Sequence, residues 1–339
     1  MAKKNGLMVG VDLGGTSLTA VALDDRGRVL ASRKRATCPD LGPEGVTRRI
    51  AATVGKLLKD LGKRSQRVRG VGIGAPGTVD PEKGVVLYAP NLGWQDHPLA
   101  KMLSQLLRLP VTLDNDVNGG AVGEHALGSG QGAGNLVAIF VGTGIGGGVI
   151  LDNRLYHGSC GGAGEVGHIK ILADGPLCGC GRKGCAEGLA SRTAMERDMR
   201  QAVDSGRPSL VPDIMARMDR ERMTSRVIQE ALREGDPLMQ EILQRAQHCL
   251  GLLVASLANL LDPDCVVIGG GIADRLKDQF LEPIRATAER HILRASHLEP
   301  IRIVPSRLGD QAGSVGAAVL AWNRLAGIDP VDLKLTKKE

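Results

Sequence analysis

The order of apolar and polar positions predicts that the chain begins with strands. Apolar runs over Leu7 to Asp12 and Leu18 to Leu23 flank the turn Leu13-Gly14-Gly15-Thr16. A third strand is expected over Arg28 to Lys34. Val46 to Leu61 instead places its apolar residues three and four positions apart, which is typical of an amphipathic helix. We therefore predict an antiparallel strand unit followed by a helix.

A similar order of elements begins again near residue 136. An apolar strand over 136–141 is followed by a glycine-rich turn over 142–148 and by a strand over 149–151. The remaining predicted elements are strands over 68–73, 111–113, 265–268 and 301–304, helices over 98–109, 118–127, 280–292 and 313–326, and a mainly helical stretch over 191–260. The repeat predicts two related α/β halves, the first of which ends near residue 118.

Composition excludes several classes of protein. With 42% hydrophobic and 24% charged residues and a mean hydropathy of -0.04, the chain is too apolar to be disordered. Its 2% aromatic content and a net charge of +6 spread along the chain argue against a nucleic-acid partner. The longest apolar run, Leu250 to Leu261, is too short to span a membrane, and no signal peptide is recognisable. We expect a cytoplasmic protein without a membrane partner.

Two turns combine glycines with a hydroxyl residue. Asp12 ends the first strand, Gly14 and Gly15 follow it, and Thr16 precedes the return strand, so backbone N–H groups can reach a phosphate while Asp12 can hold Mg²⁺. An ordinary hairpin explains the first turn equally well. The second turn, Gly142-Thr143-Gly144, favours a nucleotide site, because two facing hairpins of this kind can bind phosphates. Neither turn matches a Walker A loop or a Rossmann motif.

Two further segments follow apolar strands. Gly269-Gly270-Gly271 could let the backbone approach an adenosine, or could simply be the entry to a helix. Asp116, after Asp114 and Asn115, could accept the proton of an attacking alcohol. The alternative for this segment is a helix N-cap, for which Asp and Asn are favoured residues.

Residues 165–187 carry a candidate metal site. His168, Cys178, Cys180 and Cys185 form a Cys3His set suited to tetrahedral Zn²⁺, and four protein ligands predict a closed, structural site. A redox-active pair is the alternative, although Cys-x-Cys lacks the usual spacing. The other four cysteines are expected to be buried apolar thiols; they are Cys38, Cys160, Cys249 and Cys265.

Together these motifs resemble the ROK (repressor, open reading frame, kinase) family of sugar kinases, and most of all its bacterial glucokinases. The matching segments are Asp12 to Thr16, Gly74 to Gly77, Asn91 to Trp94, Asn115-Asp116, Gly142 to Gly148, Glu165 to His168, Cys178 to Glu187 and Gly269 to Gly271. The resemblance implies an α/β, two-domain actin-like ATPase (ribonuclease H-like) fold with an interdomain cleft and a small structural zinc loop over 165–187. It also implies a small domain over 1–118 that is joined by helix 313–326, and a large domain over 119–312.

The resemblance also implies roles for individual residues in the phosphorylation of a hexose 6-hydroxyl by ATP. Asp116 would be the general base. The residues implied to bind the sugar are Gly77, Asn91, Asn115, Asp116, Glu165, His168 and Glu187. Those implied to bind the phosphates and Mg²⁺ are Asp12, Gly14, Gly15, Thr16, Gly142, Thr143 and Gly144, and Gly269, Gly270 and Gly271 would flank the adenosine.

Other expectations from the resemblance concern the substrate and the assembly. Glucose is the expected sugar, with N-acetylhexosamines, mannose and fructose as alternatives and polyphosphate as an alternative donor. A homodimer is expected, because it is common in the family. A sugar-sensing regulator is less expected than a kinase, since the first glycine turn begins ten residues from Met1 and leaves no room for a winged helix-turn-helix.

Overall fold

The computed structural model describes residues 6–295 and 297–327. The strands are β1 (Leu7–Leu13), β2 (Ser17–Asp24), β3 (Val29–Ala36), β4 (Val68–Ala75), β5 (Thr78–Asp80), β6 (Val85–Ala89), β7 (Trp94–His97), β8 (Val111–Asn115), β9 (Leu136–Val141), β10 (Ile145–Leu151), β11 (Arg154–Leu155), β12 (Cys265–Gly269) and β13 (Arg302–Pro305). The helices are α1 (Gly42–Asp60), α2 (Leu99–Leu107), α3 (Asp116–Leu127), α4 (Ala186–Ala190), α5 (Arg192–Asp204), α6 (Val211–Arg217), α7 (Ser225–Arg233), α8 (Pro237–Leu261), α9 (Gly271–Leu276), α10 (Asp278–His291) and α11 (Ala312–Ala326). Among these helices none is both long enough and apolar enough to cross a membrane.

The first compact unit contains the described residues up to 132, 148–164 and those from 310 onward. Its main sheet has the order β3-β2-β1-β4-β8, in which β1 is antiparallel to β2 but parallel to β4, and β4 is parallel to β8. The register places Asp12, Gly74 and Asp114 beside one another on β1, β4 and β8. The carboxyl ends of three parallel strands therefore meet at one edge of the sheet.

Small residues let α11 approach this sheet closely. A Cβ added at Gly10 would overlap the backbone of Ser314, and one at Gly72 would overlap the carbonyl of Ala317. The strand glycines and the buried small residues of α11 are therefore complementary in shape, and any side chain at Gly72 must push the helix away.

A three-stranded antiparallel sheet, β5-β6-β7, also lies in the first unit and was not predicted from the sequence. Its strands are only three to five residues long, and Trp94 on β7 is buried in the same core as β1 and β4. The sheet presents residues 77–97 beside the first glycine turn, because Asn91 lies next to Gly15.

The second compact unit contains residues 133–147 and the described part of 165–309. Within this unit, strands β9, β12 and β13 are parallel, and β12 lies between the other two. Helix α8 runs for 25 residues, and its buried face packs in one core with α10 and with the sheet. Here too the carboxyl ends of parallel strands, those of β9 and β12, lie side by side.

Most of the predicted elements are confirmed, but one turn prediction is wrong. Strand β10 begins at Ile145, so Gly146 to Gly148 lie in the strand rather than in the turn. Because glycines interrupt the alternation of apolar and polar residues, the first part of this strand was not recognised in the sequence. The first unit includes both α3 and α11, and the domain division at residue 118 stays a prediction.

Candidate active site

Two acidic residues approach each other at the carboxyl edge of the first sheet. Asp12 is the penultimate residue of β1, and Asp116 begins α3 directly after β8. Between them lies Gly74 on β4, where an added Cβ would be 3.1 Å from the Asp116 Cα. Gly74 adds no side chain at this edge, and the two acidic residues are close enough for their charges to interact.

The proximity of these groups changes the proton affinity of Asp12. Burial, followed by repulsion from Asp116 and Asp310, raises the pKa of Asp12 from 3.8 to about 7, although Lys34 acts in the opposite direction. Such a carboxylate is costly to ionise without a cation. Mg²⁺ fits this position, since it prefers carboxylate oxygens and would offset the repulsion.

Asn115 and Asp116 share one turn but have different contacts. The Asn115 Oδ1 accepts hydrogen bonds from the backbone N–H groups of Val117 (2.9 Å) and Asn118 (3.2 Å), so the N-cap interpretation is confirmed for Asn115. Its Nδ2 donates to the carbonyl of Gly77 at 3.0 Å and ties β8 to the loop after β4. The Asp116 carboxylate accepts the Val117 N–H at 2.9 Å through Oδ1.

Asp114, in contrast, is buried and bound by other side chains of the protein. Its buried carboxylate accepts from His157 Nε2 at 2.9 Å, Arg324 Nη2 at 3.0 Å and Asn118 Nδ2 at 3.0 Å. Burial alone would raise the pKa of Asp114, but the hydrogen bond and charge of His157, together with Asn118 and Arg324, lower it overall. Asp114 therefore remains ionised and paired, and it anchors α11 to β8.

In both glycine turns, backbone carbonyls accept hydrogen bonds from a segment outside the turn. In the first turn, Thr37 donates its hydroxyl to Gly14 O (2.6 Å) and its N–H to Thr16 O (2.9 Å). In the second turn, the N–H of Arg192 donates to Gly142 O (3.0 Å) and that of Thr193 to Thr143 O (3.4 Å). The turn carbonyls are thus held by neighbouring segments.

Four other backbone N–H groups of the two turns are not used in hydrogen bonds within the described residues. The N–H groups of Gly15, Thr16, Thr143 and Gly144 donate to no residue that the structure describes. Consecutive N–H groups of this kind form a concave site for an anion. Each turn therefore offers donors suited to phosphate oxygens, and phosphate binding at these residues stays a prediction.

The three thiols and the imidazole of the predicted zinc loop come together in the second unit. The ligand atoms of His168, Cys178, Cys180 and Cys185 all lie within 4.8 Å of one another. The Cys180 and Cys185 sulfurs are 3.7 Å apart, and Cys178 Sγ is 3.8 Å from His168 Nδ1. Tetrahedral Zn²⁺ with Zn–S bonds of about 2.3 Å requires sulfurs about 3.8 Å apart, so the set fits Zn²⁺.

The thiols differ in their proton affinity. The backbone N–H of Arg182 is the main cause that lowers the pKa of Cys180 to about 7, whereas burial raises that of Cys178 to about 12. A bound cation would favour both thiolates. The geometry and the residue types thus support a structural zinc site.

Of the three predicted sugar-binding residues of the second unit, His168 belongs to this cluster, and Glu165 and Glu187 lie beside it. His168 directs Nδ1 to the thiols, while its Nε2 lies 3.8 Å from the exposed carboxylate of Glu165. Glu187 accepts the backbone N–H of Ile145 through Oε2 at 2.9 Å, and its Oε1 is 3.5 Å from Cys178 Sγ. Glu187 therefore connects the zinc loop to the second glycine turn.

Gly269, Gly270 and Gly271 lie beside that turn. Gly269 ends β12 opposite Phe140 of β9, and an added Cβ at Gly270 would overlap the backbone of Val141. Gly270 has φ +100°, which only glycine adopts readily. The segment is thus a helix entry and also a close neighbour of the second glycine turn.

The expectation for the remaining cysteines is largely wrong. Only Cys265 is buried, whereas Cys160 is exposed and Cys38 and Cys249 are partly exposed. Cys160 lies between glycines of a loop, and Cys38 has a left-handed backbone, so neither belongs to an apolar face of an element.

Sequence reasoning missed three residues that position the site: Thr37, His157 and Arg192. Thr37 and Arg192 lie far along the chain from the turns that they bind, and no motif includes them. His157 follows the hairpin after β10, and nothing in its local sequence indicates the contact with Asp114.

Comparisons with known proteins show the family and the fold of this chain. The model of the ROK family matches residues 8–324. A glucokinase of Streptomyces coelicolor is 36% identical over 318 residues, which cover 93% of this chain and 98% of that protein. The crystal structure of a ROK family glucokinase from Streptomyces griseus, in complex with glucose and AMPPNP, superposes with a TM-score of 0.79 at 37% identity and covers 93% of this chain and 99% of that one.

The relatives also include regulators. A xylose repressor of Caldicellulosiruptor bescii is 32% identical over 320 residues, which cover 94% of this chain and 78% of the repressor. The fold is the mixed α/β, two-domain fold of the actin-like ATPases. The chain belongs to the ROK family.

Proposed function

We propose that the protein is a glucokinase, an ATP-dependent phosphotransferase that acts on the 6-hydroxyl of glucose. The observation that carries the proposal is the match over nearly the full length to a glucokinase bound to glucose and AMPPNP, in a chain that retains both glycine turns and Asp116. Cytoplasmic localisation, a homodimer and the absence of a nucleic-acid partner belong to the same proposal.

Each residue contributes by position and charge. Asp116 takes the proton from the attacking hydroxyl, while the backbone N–H groups and hydroxyls of the two turns bind the phosphates. Mg²⁺ held by Asp12 would neutralise charge on the phosphates, which is the main requirement of phosphoryl transfer. Gly269, Gly270 and Gly271 flank the adenosine, and Gly14, Gly15 and Gly142 to Gly144 leave room for the phosphates.

The proposed sugar contacts are assigned to residues of each unit separately. In the first unit Gly77, Asn91 and Asn115 bind sugar hydroxyls, and the hydrogen bond between Asn115 and Gly77 fixes their relative position. In the second unit Glu165, His168 and Glu187 do so. Zinc at Cys178, Cys180, Cys185 and His168 Nδ1 would hold the imidazole with Nε2 directed outward.

The test is a coupled assay of ADP release from Mg-ATP with glucose, mannose, N-acetylglucosamine, N-acetylmannosamine or fructose. We expect glucose to give the highest kcat/KM. Asp116→Asn should lower kcat by about 10²-fold to 10⁴-fold while glucose binding survives, because only the proton acceptor is lost. Asp213→Asn, an exposed site on α6, is the matched control.

Two results would refute parts of the proposal. A near-normal kcat for Asp116→Asn removes the residue from its role. A higher kcat/KM for another sugar, or turnover with polyphosphate in place of ATP, changes the substrate.

A further inference from the structure

Arg192 lies at the second glycine turn, and no role has been assigned to it. Its Nη2 donates to the Thr143 Oγ1 at 2.6 Å, and its backbone N–H donates to Gly142 O at 3.0 Å. Side chain and backbone of one residue therefore hold two consecutive residues of the turn.

The first turn of α5 does not favour an arginine, although the charge of Glu196 on the next turn is attractive. Arg192 is the first residue of this helix, where the macrodipole disfavours a cation, and the first turn of α5 contains no acidic residue. Arg192 forms no ion pair with any residue in the described part of the chain, unlike Arg197 and Arg200 on the same helix, which pair with Asp198 and Glu196.

The direction of the hydrogen bond matters for the chemistry of Thr143. A threonine hydroxyl has one hydrogen to donate, and its oxygen has lone pairs that accept. Because the Arg192 guanidinium can only donate, it occupies a lone pair of the Thr143 oxygen and leaves the hydroxyl hydrogen available. The adjacent N–H groups of Thr143 and Gly144 donate to no described residue, so three donors are available at this turn.

We propose that Arg192 is a positioning residue for nucleotide binding, which orients the Thr143 hydroxyl as a donor to a phosphate oxygen of ATP. This inference rests on the proposed function and deepens it. It predicts a specific dependence of ATP affinity on Arg192 that acts through Thr143.

The test uses Arg192→Met, in which the backbone N–H donor to Gly142 remains. We expect the KM for ATP and the Kd for Mg-AMPPNP, measured by calorimetry, to rise by about tenfold or more, because a charge-assisted hydrogen bond at the phosphate turn is lost. The KM for glucose should change by less than about twofold, since Arg192 contacts no predicted sugar ligand. The control is Arg200→Met, which replaces another arginine of α5 and should leave all of these values unchanged.

A double-variant cycle tests the route of the effect. If Arg192 acts through Thr143, Arg192→Met in a Thr143→Val background should add little to the loss already caused by Thr143→Val. If Arg192→Met lowers the melting temperature, Arg192→Gln is used in its place. An ATP KM and an AMPPNP Kd within about twofold of the wild type, or losses that multiply in the double variant, would overturn the inference.

The wild type separates this inference from the function itself. A wild-type protein that binds Mg-AMPPNP but phosphorylates no sugar refutes the proposed function, whereas the Kd values of the variants still decide the role of Arg192.

Discussion

Asp12 and Asp114 lie near the carboxyl ends of two parallel strands on either side of β4, yet their substitution by asparagine should change stability in opposite directions. The pKa of Asp12 is raised by burial and by the charges of Asp116 and Asp310. Between the ordinary pKa of 3.8 and the folded-state value of about 7, the folded protein keeps a proton that the unfolded chain releases. Stability contributed by this group therefore falls as the pH rises, and levels off above about 7.

The magnitude follows from the difference between the two pKa values. A difference of about 3 corresponds to about 4 kcal/mol at pH 8, with 1.36 kcal/mol for each pKa unit. Asp12→Asn removes this cost, so at pH 8 the variant should be more stable than the wild type by up to about 4 kcal/mol and should lose ATP turnover. Near pH 4 the advantage should vanish, because the wild-type carboxyl is then protonated as well.

Asp114→Asn is the matched comparison. The pKa of Asp114 is lowered overall, since the contacts with His157, Asn118 and Arg324 outweigh its burial. Its contribution to stability is present above the unfolded pKa and is lost as the pH falls through the folded one. Removing the charge leaves Arg324 without its carboxylate, which should cost about 3–5 kcal/mol at pH 8.

The assay is urea unfolding between pH 4.5 and 8.5, in buffer without nucleotide or magnesium, followed by circular dichroism. The m-values should be unchanged if both variants keep the native fold. An Asp12→Asn protein that is less stable than the wild type at pH 8, or a stability difference that does not change with pH, would refute the assigned pKa shift of Asp12.

The remaining predictions concern the zinc loop and the packing of α11. Cys180→Ala should abolish stoichiometric zinc, measured by atomic absorption, and weaken glucose binding, because His168 loses the metal that orients it; metal-free protein with normal glucose affinity would contradict this. Gly72→Ala should lower the free energy of unfolding by about 1–3 kcal/mol, since the new methyl group overlaps the carbonyl of Ala317. The control Gly55→Ala, at an open position of α1, should stabilise by about 0.5–1 kcal/mol.

Local sequence patterns predicted those parts of the protein whose signal is contained in a few consecutive residues. The strand before each glycine turn, the amphipathic α1 and the cysteine spacing of the zinc loop are examples, and all three are confirmed by the structure. Parallel pairing of β1, β4 and β8 then explains why Asp12 and Asp116 meet, although they are far apart in the sequence.

Features that depend on distant contacts were not predictable in this way. Thr37 and Arg192 bind the glycine turns by hydrogen bonds that no local pattern encodes. Strands β5 to β7 are too short for apolar alternation to be recognised, and a proline and two charged residues interrupt the region between β5 and β6. The burial of single cysteines depends on tertiary packing, which explains the wrong expectation for Cys160.

The central claim is that the protein transfers the γ-phosphate of ATP to the 6-hydroxyl of glucose. The most direct measurement is a proton–phosphorus correlation spectrum of the product formed from glucose and Mg-ATP, with Asp116→Asn as the blank. We expect one new phosphate ester, coupled to the two protons on C6 and about 10²-fold to 10⁴-fold weaker in the blank after the same time. A phosphate coupled to any other position, or no sugar phosphate from the wild-type protein, would contradict it.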